Sequence, residues 1–319
     1  MFDRVHLYFT VWMCLACTAA AQTDFDPVDT SASLPRLVPS EHLPNLVEIH
    51  PRVFSGGLPE DDEAFRELAT IGVRTIISVD GAKPDVDAAK SYGLRYVHLP
   101  HGYDGIPETR IKELAKAVRD LDGPVYIHCH HGKHRSPAAA SAACVAAGLV
   151  PTSDVSTILK LAGTSERYRG LFRSALQTVP IAPDAIDQLQ PQFRPIAPIP
   201  PMAEAMVAID HAFGHLKPLL EAETVSNKDH PDLDAAHEAL LLREQFTESL
   251  RTPDVGNRPD DFRRLMRESE SDAESLERLL LQQKTTQDKD ATRTAIREKI
   301  NRIEKNCQVC HAEYRDNPR

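Results

Sequence analysis

Between Pro180 and Pro201 the chain places seven prolines in a stretch with no helical period. Neither an α-helix nor a central β-strand tolerates that density, because each proline lacks an N–H donor and fixes its own φ. The stretch reads as a stiff, extended, proline-rich linker over 180–200. It divides the 319 residues into two folding halves, each of ordinary domain size. In the first half, apolar runs rich in Val and Ile (Val73–Val79, Leu94–Leu99, Val125–Ile127) alternate with helical patterns near 60–70, 85–92 and 108–121. That alternation predicts an α/β domain over 44–179, a mainly parallel sheet with flanking helices. The second half has almost no strand signal. Its first helix sets Met202, Met206, Ile209, Phe213, Leu216 and Leu220 on one stripe, and further helices are expected near 231–250, 259–283 and 290–315. The region 201–319 is therefore expected to be an all-α antiparallel four-helix bundle.

The first residues combine Arg4, an apolar run from Leu7 to Leu15 and small residues ending in Ala19-Ala20-Ala21. This order is that of a cleavable secretory signal over 1–21, too short to span a bilayer. Cleavage near Ala21 would deliver the protein to the periplasm or otherwise outside the cytoplasm, with no membrane span in the mature chain. Residues 22–43 are rich in Asp, Ser, Thr and Pro without periodicity and are expected to be a flexible leader. A formal charge of -10 argues against a nucleic-acid partner. Cleavage leaves Cys129, Cys144, Cys307 and Cys310. Three of these sit in motifs with other uses and Cys144 lies in an alanine-rich helical run, so no disulfide is expected.

The run Val125-Tyr126-Ile127-His128-Cys129-His130-His131-Gly132-Lys133-His134-Arg135-Ser136 has the form of a buried strand, a tight loop and a helix start. A loop of this length turns backbone N–H groups inward as an anion-binding nest, and the following helix adds its positive end. His130, His131, Gly132, Lys133, His134 and Arg135 would then cradle a phosphate, with Gly132 supplying the positive φ of the turn. Cys129 at the base is activated as a thiolate nucleophile. Arg135 is suited to grip two phosphoryl oxygens, and Ser136 to donate a hydrogen bond to the departing thiolate. The crowded imidazoles do not read as a metal site, since consecutive positions cannot all converge on one ion and zinc ligands are usually spaced by two to five residues.

The pattern His-Cys-x-x-Gly-x-x-Arg-Ser resembles the signature of protein tyrosine and dual-specificity phosphatases. The likeness extends to Val53-Phe54-Ser55-Gly56-Gly57-Leu58-Pro59, Leu68–Val73 and Leu94–Pro100. It implies a catalytic set of Cys129 as nucleophile, Arg135 as phosphate clamp and Ser136 as leaving-group helper, with no cofactor. It also implies an aspartate acid from an upstream loop. Asp104, in His101-Gly102-Tyr103-Asp104-Gly105, is the candidate and Asp80 the competitor.

Cys307-Gln308-Val309-Cys310-His311 matches the Cys-x-x-Cys-His pattern for c-type haem attachment. Ile296, Ile300, Ile303, Cys307, Cys310 and Tyr314 continue one helical stripe, which turns both thiols toward the core. One covalent haem c on Cys307 and Cys310, with His311 as axial iron ligand, is the expectation. The position of the motif in the last helix, together with Ala212-Phe213-Gly214-His215-Leu216-Lys217-Pro218, resembles cytochrome c′. That resemblance places Met206 on the distal face, as a cover or a sixth ligand.

Two function classes follow. In one, the chain is an exported phosphomonoester phosphatase acting through a phosphocysteine intermediate on a phosphorylated substrate, fused to a haem domain for electron transfer or gas and redox sensing. In the other, the haem domain is the working part, with an electron-transfer partner or a small gas as its ligand, and the first domain only binds phosphorylated ligands.

Overall fold

A computed structural model describes residues 34–220, 234–283 and 285–316. The expected signal sequence and most of the leader lie outside the described residues. Six strands form one sheet: β1 (Arg36–Leu37), β2 (Val47–His50), β3 (Val53–Gly56), β4 (Thr75–Ser78), β5 (Arg95–His98) and β6 (Val125–His128). Their order is β1-β2-β3-β6-β4-β5. β3, β6, β4 and β5 are parallel, and β1 and β2 add antiparallel at the β3 edge. The sheet is therefore mixed, and the predicted alternation holds in its parallel part.

The helices beside the sheet are α1 (Asp62–Thr70), α2 (Val86–Ser91), α3 (Glu108–Asp120), α4 (Arg135–Ala146), α5 (Val155–Leu161) and α6 (Arg169–Gln177). Side chains alternate across the pleat. Phe54, Ile76, Tyr96 and Tyr126 pack with α1 and α2 through Phe65, Leu68 and Ala89. Val53, Ile77, Val97 and Ile127 pack with α3 to α6 on the opposite face. The six alanines of α4 are fully buried, so beyond Arg135 a helix of small side chains lies close against the sheet. Asp61 caps α1 by accepting from the Ala64 N–H at 2.7 Å.

Two boundaries differ from the sequence reading. The leader expected to run to residue 43 already contains β1, and Arg36 of that strand pairs with Glu48 across the ladder. Leu43 is buried against Leu46 and Phe65, so hydrophobic burial captures a segment whose composition is polar. The proline-rich 180–200 stretch is not a free spacer. It holds α7 (Pro183–Asp187), whose Ile186 is 1% exposed between Ala115 and Ala146, and the Ile181 N–H donates to the Ala146 carbonyl. Further on, the Arg194 carbonyl accepts from the His98 N–H, and the Ala197 N–H donates to His98 Nδ1 at 3.2 Å. Extended prolyl backbone still has carbonyls and a few N–H groups to offer an edge strand, and here β5 accepts them.

Beyond this strap come α8 (Pro201–Leu216), α9 (Ala235–Arg251), the short α10 (Pro253–Gly256), α11 (Asp260–Gln283) and α12 (Lys289–Tyr314). The four long helices share one core containing Ile209, Phe213, Leu242, Phe246, Leu276 and Ile300. Buried Asp272 in that layer takes both Lys299 and Arg302 as partners. The described residues all fall in a single compact unit. Among the described residues, no helix is long and apolar enough to cross a membrane.

Candidate active site

β6 lies between β3 and β4, and the chain leaves its C-terminal end as the Cys129 loop before entering α4. The loop is held by its carbonyls. His130 O accepts from the Leu58 N–H, Gly132 O from Asn45 Nδ2 at 2.9 Å, and Lys133 O from Thr164 Oγ1 at 2.7 Å. Among the described residues the N–H groups of His131, Gly132, Lys133, His134 and Arg135 have no protein acceptor, which leaves a nest of donors at a helix N-terminus. Gly132 has φ +71°, and a Cβ there would sit 2.5 Å from the backbone of Gly56 and Gly57. Only glycine fits that turn.

Cys129 is buried at 3% exposure, with Sγ 3.3 Å from Ser136 Oγ. The same hydroxyl donates to the Gly56 carbonyl at 3.0 Å. One hydroxyl hydrogen cannot serve both acceptors, so Ser136 has two settings: turned to Gly56, or turned to a cysteine thiolate.

Asp80, which leaves the C-terminal end of β4, is the organising residue. Its Oδ2 accepts from the His130 N–H at 2.7 Å and from Arg135 Nη2 at 2.8 Å, and its Oδ1 from the Ala82 N–H at 3.2 Å. Burial alone would raise its carboxyl; the Arg135 guanidinium, the two amides and His128 outweigh burial and hold it at about 2. A carboxylate so held has no proton to give near neutral pH. Its three hydrogen bonds make Asp80 a support of the loop. Arg135 spends only one nitrogen on Asp80, and its Nε is buried without a partner. A buried guanidinium N–H without a protein partner is able to donate to an anionic oxygen.

Asp104 is exposed, its carboxylate curled back over Gly102 of its own turn rather than hydrogen-bonded to the cysteine loop. The turn is fixed from behind by Gly170, where a Cβ would overlap the Asp104 carbonyl, and by Ser174 Oγ, which accepts from the Ile106 N–H at 2.9 Å. The residue of this loop that faces the site is Tyr103. Its ring lies 4.5 Å from the Arg135 guanidinium carbon and 4.9 Å from the ring of Tyr168, which in turn meets His134 at 4.6 Å. Tyr103 stood in the quoted loop, but no spacing rule singles out an aromatic there. Burial, with help from Arg167 and neighbouring cations, pushes His134 down to about 4, so the rim imidazole is neutral near pH 7. Below the loop, His128 binds Tyr96 Oη through Nε2 at 2.6 Å, and burial pushes it down to about 4.

In α12, Cys307 and Cys310 are half-buried on one helix face, packed with Met202, Met206 and Tyr314 against the helical core. Burial pushes both thiols up to about 11 and pushes His311 down to about 4, leaving a neutral imidazole beside two protonated thiols. That donor set, on a face packed against an apolar core, fits the attachment chemistry of a c-type haem.

No family model matches the chain. A curated relative, the Beta-lactamase hydrolase-like protein of Xylella fastidiosa (strain Temecula1 / ATCC 700964), is 32% identical over 96 residues, which cover 27% of this chain and 22% of that protein. The chain thus spans about a fifth of the length of the curated relative it matches. Among solved structures, P. aeruginosa TpbA in complex with pTyr is similar at 17% identity and a TM-score of 0.41, over 49% of this chain and 95% of that one. The core catalytic domain of a PP-IP phosphatase from S. cerevisiae is similar at 15% identity and a TM-score of 0.37, over 48% and 93%.

Proposed function

We propose that the α/β lobe is a cysteine-dependent phosphomonoester hydrolase. The observation that carries the reading is the buried, unpartnered Nε of Arg135 at the end of the Cys129 loop, whose N–H groups from His131 to Arg135 have no protein acceptor among the described residues. In the first step the Cys129 thiolate attacks phosphorus; an S–P bond forms and the ester P–O bond breaks, with Asp104 protonating the leaving oxygen. The loop amides and Arg135 bind the equatorial oxygens, and Arg135 keeps its place through Asp80. Water then attacks the phosphocysteine, the Asp104 carboxylate left by the first step takes its proton, the S–P bond breaks, phosphate departs, and Ser136 turns from the Gly56 carbonyl to the released thiolate. The exposed position of Asp104 supports a second reading, a phosphate-binding domain without turnover.

The test is hydrolysis of an aryl phosphate by the mature full chain and by Cys129→Ser. Turnover present in the first and absent in the second is the expected result. Binding of tungstate by both proteins without turnover in either would favour the binding-domain reading. The pTyr bound in one similar structure and the PP-IP in the name of the other are the natural first substrates to try.

The helical lobe is proposed to be a cytochrome c′-like bundle holding one haem c through Cys307 and Cys310, with His311 on the iron and Met206 on the distal side. Bound haem would supply one-electron or gas-binding chemistry. The donor set described above supports the assignment, and the proposed export from the cytoplasm meets the need for attachment there. Mass spectrometry of the exported protein is expected to show the added mass of one haem, lost in the Cys307→Ala, Cys310→Ala double variant.

A further inference from the structure

The turn that ends α12 reaches the phosphatase loop. Arg315 places its guanidinium carbon 4.2 Å from the centroid of the Tyr103 ring, the same ring that Arg135 approaches to 4.5 Å. Two like charges on one aromatic ring sit best on its opposite faces, and the ring quadrupole attracts both. Arg315 is itself fixed. Its N–H donates to the His311 carbonyl at 3.0 Å, and its Nε donates at 2.7 Å to Asp316, which is buried at 4% exposure. Tyr103 also meets the Tyr168 ring at 4.9 Å and shares a side-chain hydrogen bond with Arg135, while its loop is anchored through the backbone at Gly105 and Ile106.

We infer that Arg315, contributed by the helical lobe, is a positioning residue of the α/β lobe's active site: it clamps the Tyr103 ring against Arg135 and so sets the clamp's orientation toward substrate phosphate. The site is then shared between the lobes, and the C-terminal turn of α12 is one of its walls. The guanidinium is required for its planar stacking as well as its charge, so lysine is not an equivalent replacement.

The inference rests on the phosphatase reading, and a double-mutant cycle on the full chain separates the two. Wild type, Arg315→Ala, Arg315→Lys, Tyr103→Ala and the Arg315→Ala, Tyr103→Ala double variant are compared for aryl phosphate hydrolysis, with tungstate binding measured calorimetrically in parallel. Arg315→Ala is expected to raise KM and weaken tungstate binding by about three- to tenfold, the range of one partly desolvated cation–π contact, with kcat changed less. Arg315→Lys should recover only part of the loss. In the Tyr103→Ala background the further loss of Arg315 should have almost no effect, because the arginine acts through the ring. If wild type turns over and Arg315→Ala matches it within twofold in both assays, or if its effect persists undiminished without Tyr103, the inference is wrong while the phosphatase reading stands. If wild type is inert but binds tungstate, the enzyme reading falls and the tungstate cycle alone decides the inference by the same criteria. If it neither turns over nor binds, both fall.

Discussion

Replacing Asp80 by asparagine keeps the shape of the side chain and removes the charge on which the cysteine loop is built. The wild-type carboxylate meets three donors, the N–H groups of Ala82 and His130 and Nη2 of Arg135. An amide presents one carbonyl oxygen and an NH2 group to the same three donors, so at least one is left facing a donor, and the Arg135 charge loses its partner in a site only 9% exposed on the aspartate side. Two routes give the size of the loss. A carboxyl moved from 3.8 to about 2 contributes about 2.5 kcal/mol at neutral pH. Breaking a buried ion pair costs about 3–5 kcal/mol. A destabilisation of about 3 kcal/mol at pH 7 is expected from urea midpoints followed by tyrosine fluorescence.

The pH dependence identifies the cause. Because the folded-state carboxyl lies below its unfolded value, the stabilisation is complete above pH 3.8 and is lost as pH falls through about 2. The gap between wild type and Asp80→Asn should be constant from pH 7 to 5 and about 1 kcal/mol narrower by pH 3. A gap unchanged at pH 3 would mean that the variant loses packing rather than charge, and would refute the account of Asp80 as an ionised anchor.

Asp104→Asn is expected to slow aryl phosphate hydrolysis by about 10²-fold with tungstate binding unaltered, and an unchanged rate would remove Asp104 as the acid. Gly132→Ala introduces a Cβ 2.5 Å from the Gly56 and Gly57 backbone at φ +71°, so it should cost about 2–3 kcal/mol and abolish oxyanion binding; wild-type tungstate affinity would contradict the steric argument. Ile186→Ala should lower stability by about 2–4 kcal/mol, as for a fully buried core side chain, whereas a spacer residue would show no change in the urea midpoint.

How much of this was legible in the sequence follows from the range of the interactions involved. The Cys129 loop is local: the proposed nucleophile, nest, glycine turn and proposed clamp lie within eight consecutive residues, and strand-loop-helix geometry fixes their relation before any tertiary contact is known. The strands and helices around it were legible for the same reason, from period 2 and period 3.6 patterns. Composition misled where local polarity and tertiary burial disagree. The proline-rich stretch has the makeup of a spacer, yet Ile186 finds a slot between Ala115 and Ala146 that only the packed α3–α4 pair creates. Asp80 and Tyr103 meet Arg135 from separations of 55 and 32 positions, Arg315 meets Tyr103 from 212, and no motif connects such distances.

The docked strap gives those long separations a physical route. His98 at the end of β5 accepts from the Ala197 N–H on the strap through Nδ1, which obliges Nε2 to carry the hydrogen it gives to the Asp80 carbonyl at 2.8 Å. The histidine that receives the strap is therefore the one that fixes the backbone of the residue holding Arg135. Four residues beyond Ala197 the chain enters α8, whose Ala203 lies against Gly81, next to Asp80. The α8 end of the helical lobe is thus set down beside Asp80 on one flank of the loop, while the α12 end returns to Tyr103 on the other. A spacer that floated free would leave Arg315 to find Tyr103 by diffusion over a tether; a strap pinned at Ile186 and His98 removes most of that conformational freedom beforehand. Contact between the lobes at the Arg135 clamp then follows from prolines whose composition alone spoke only of separation.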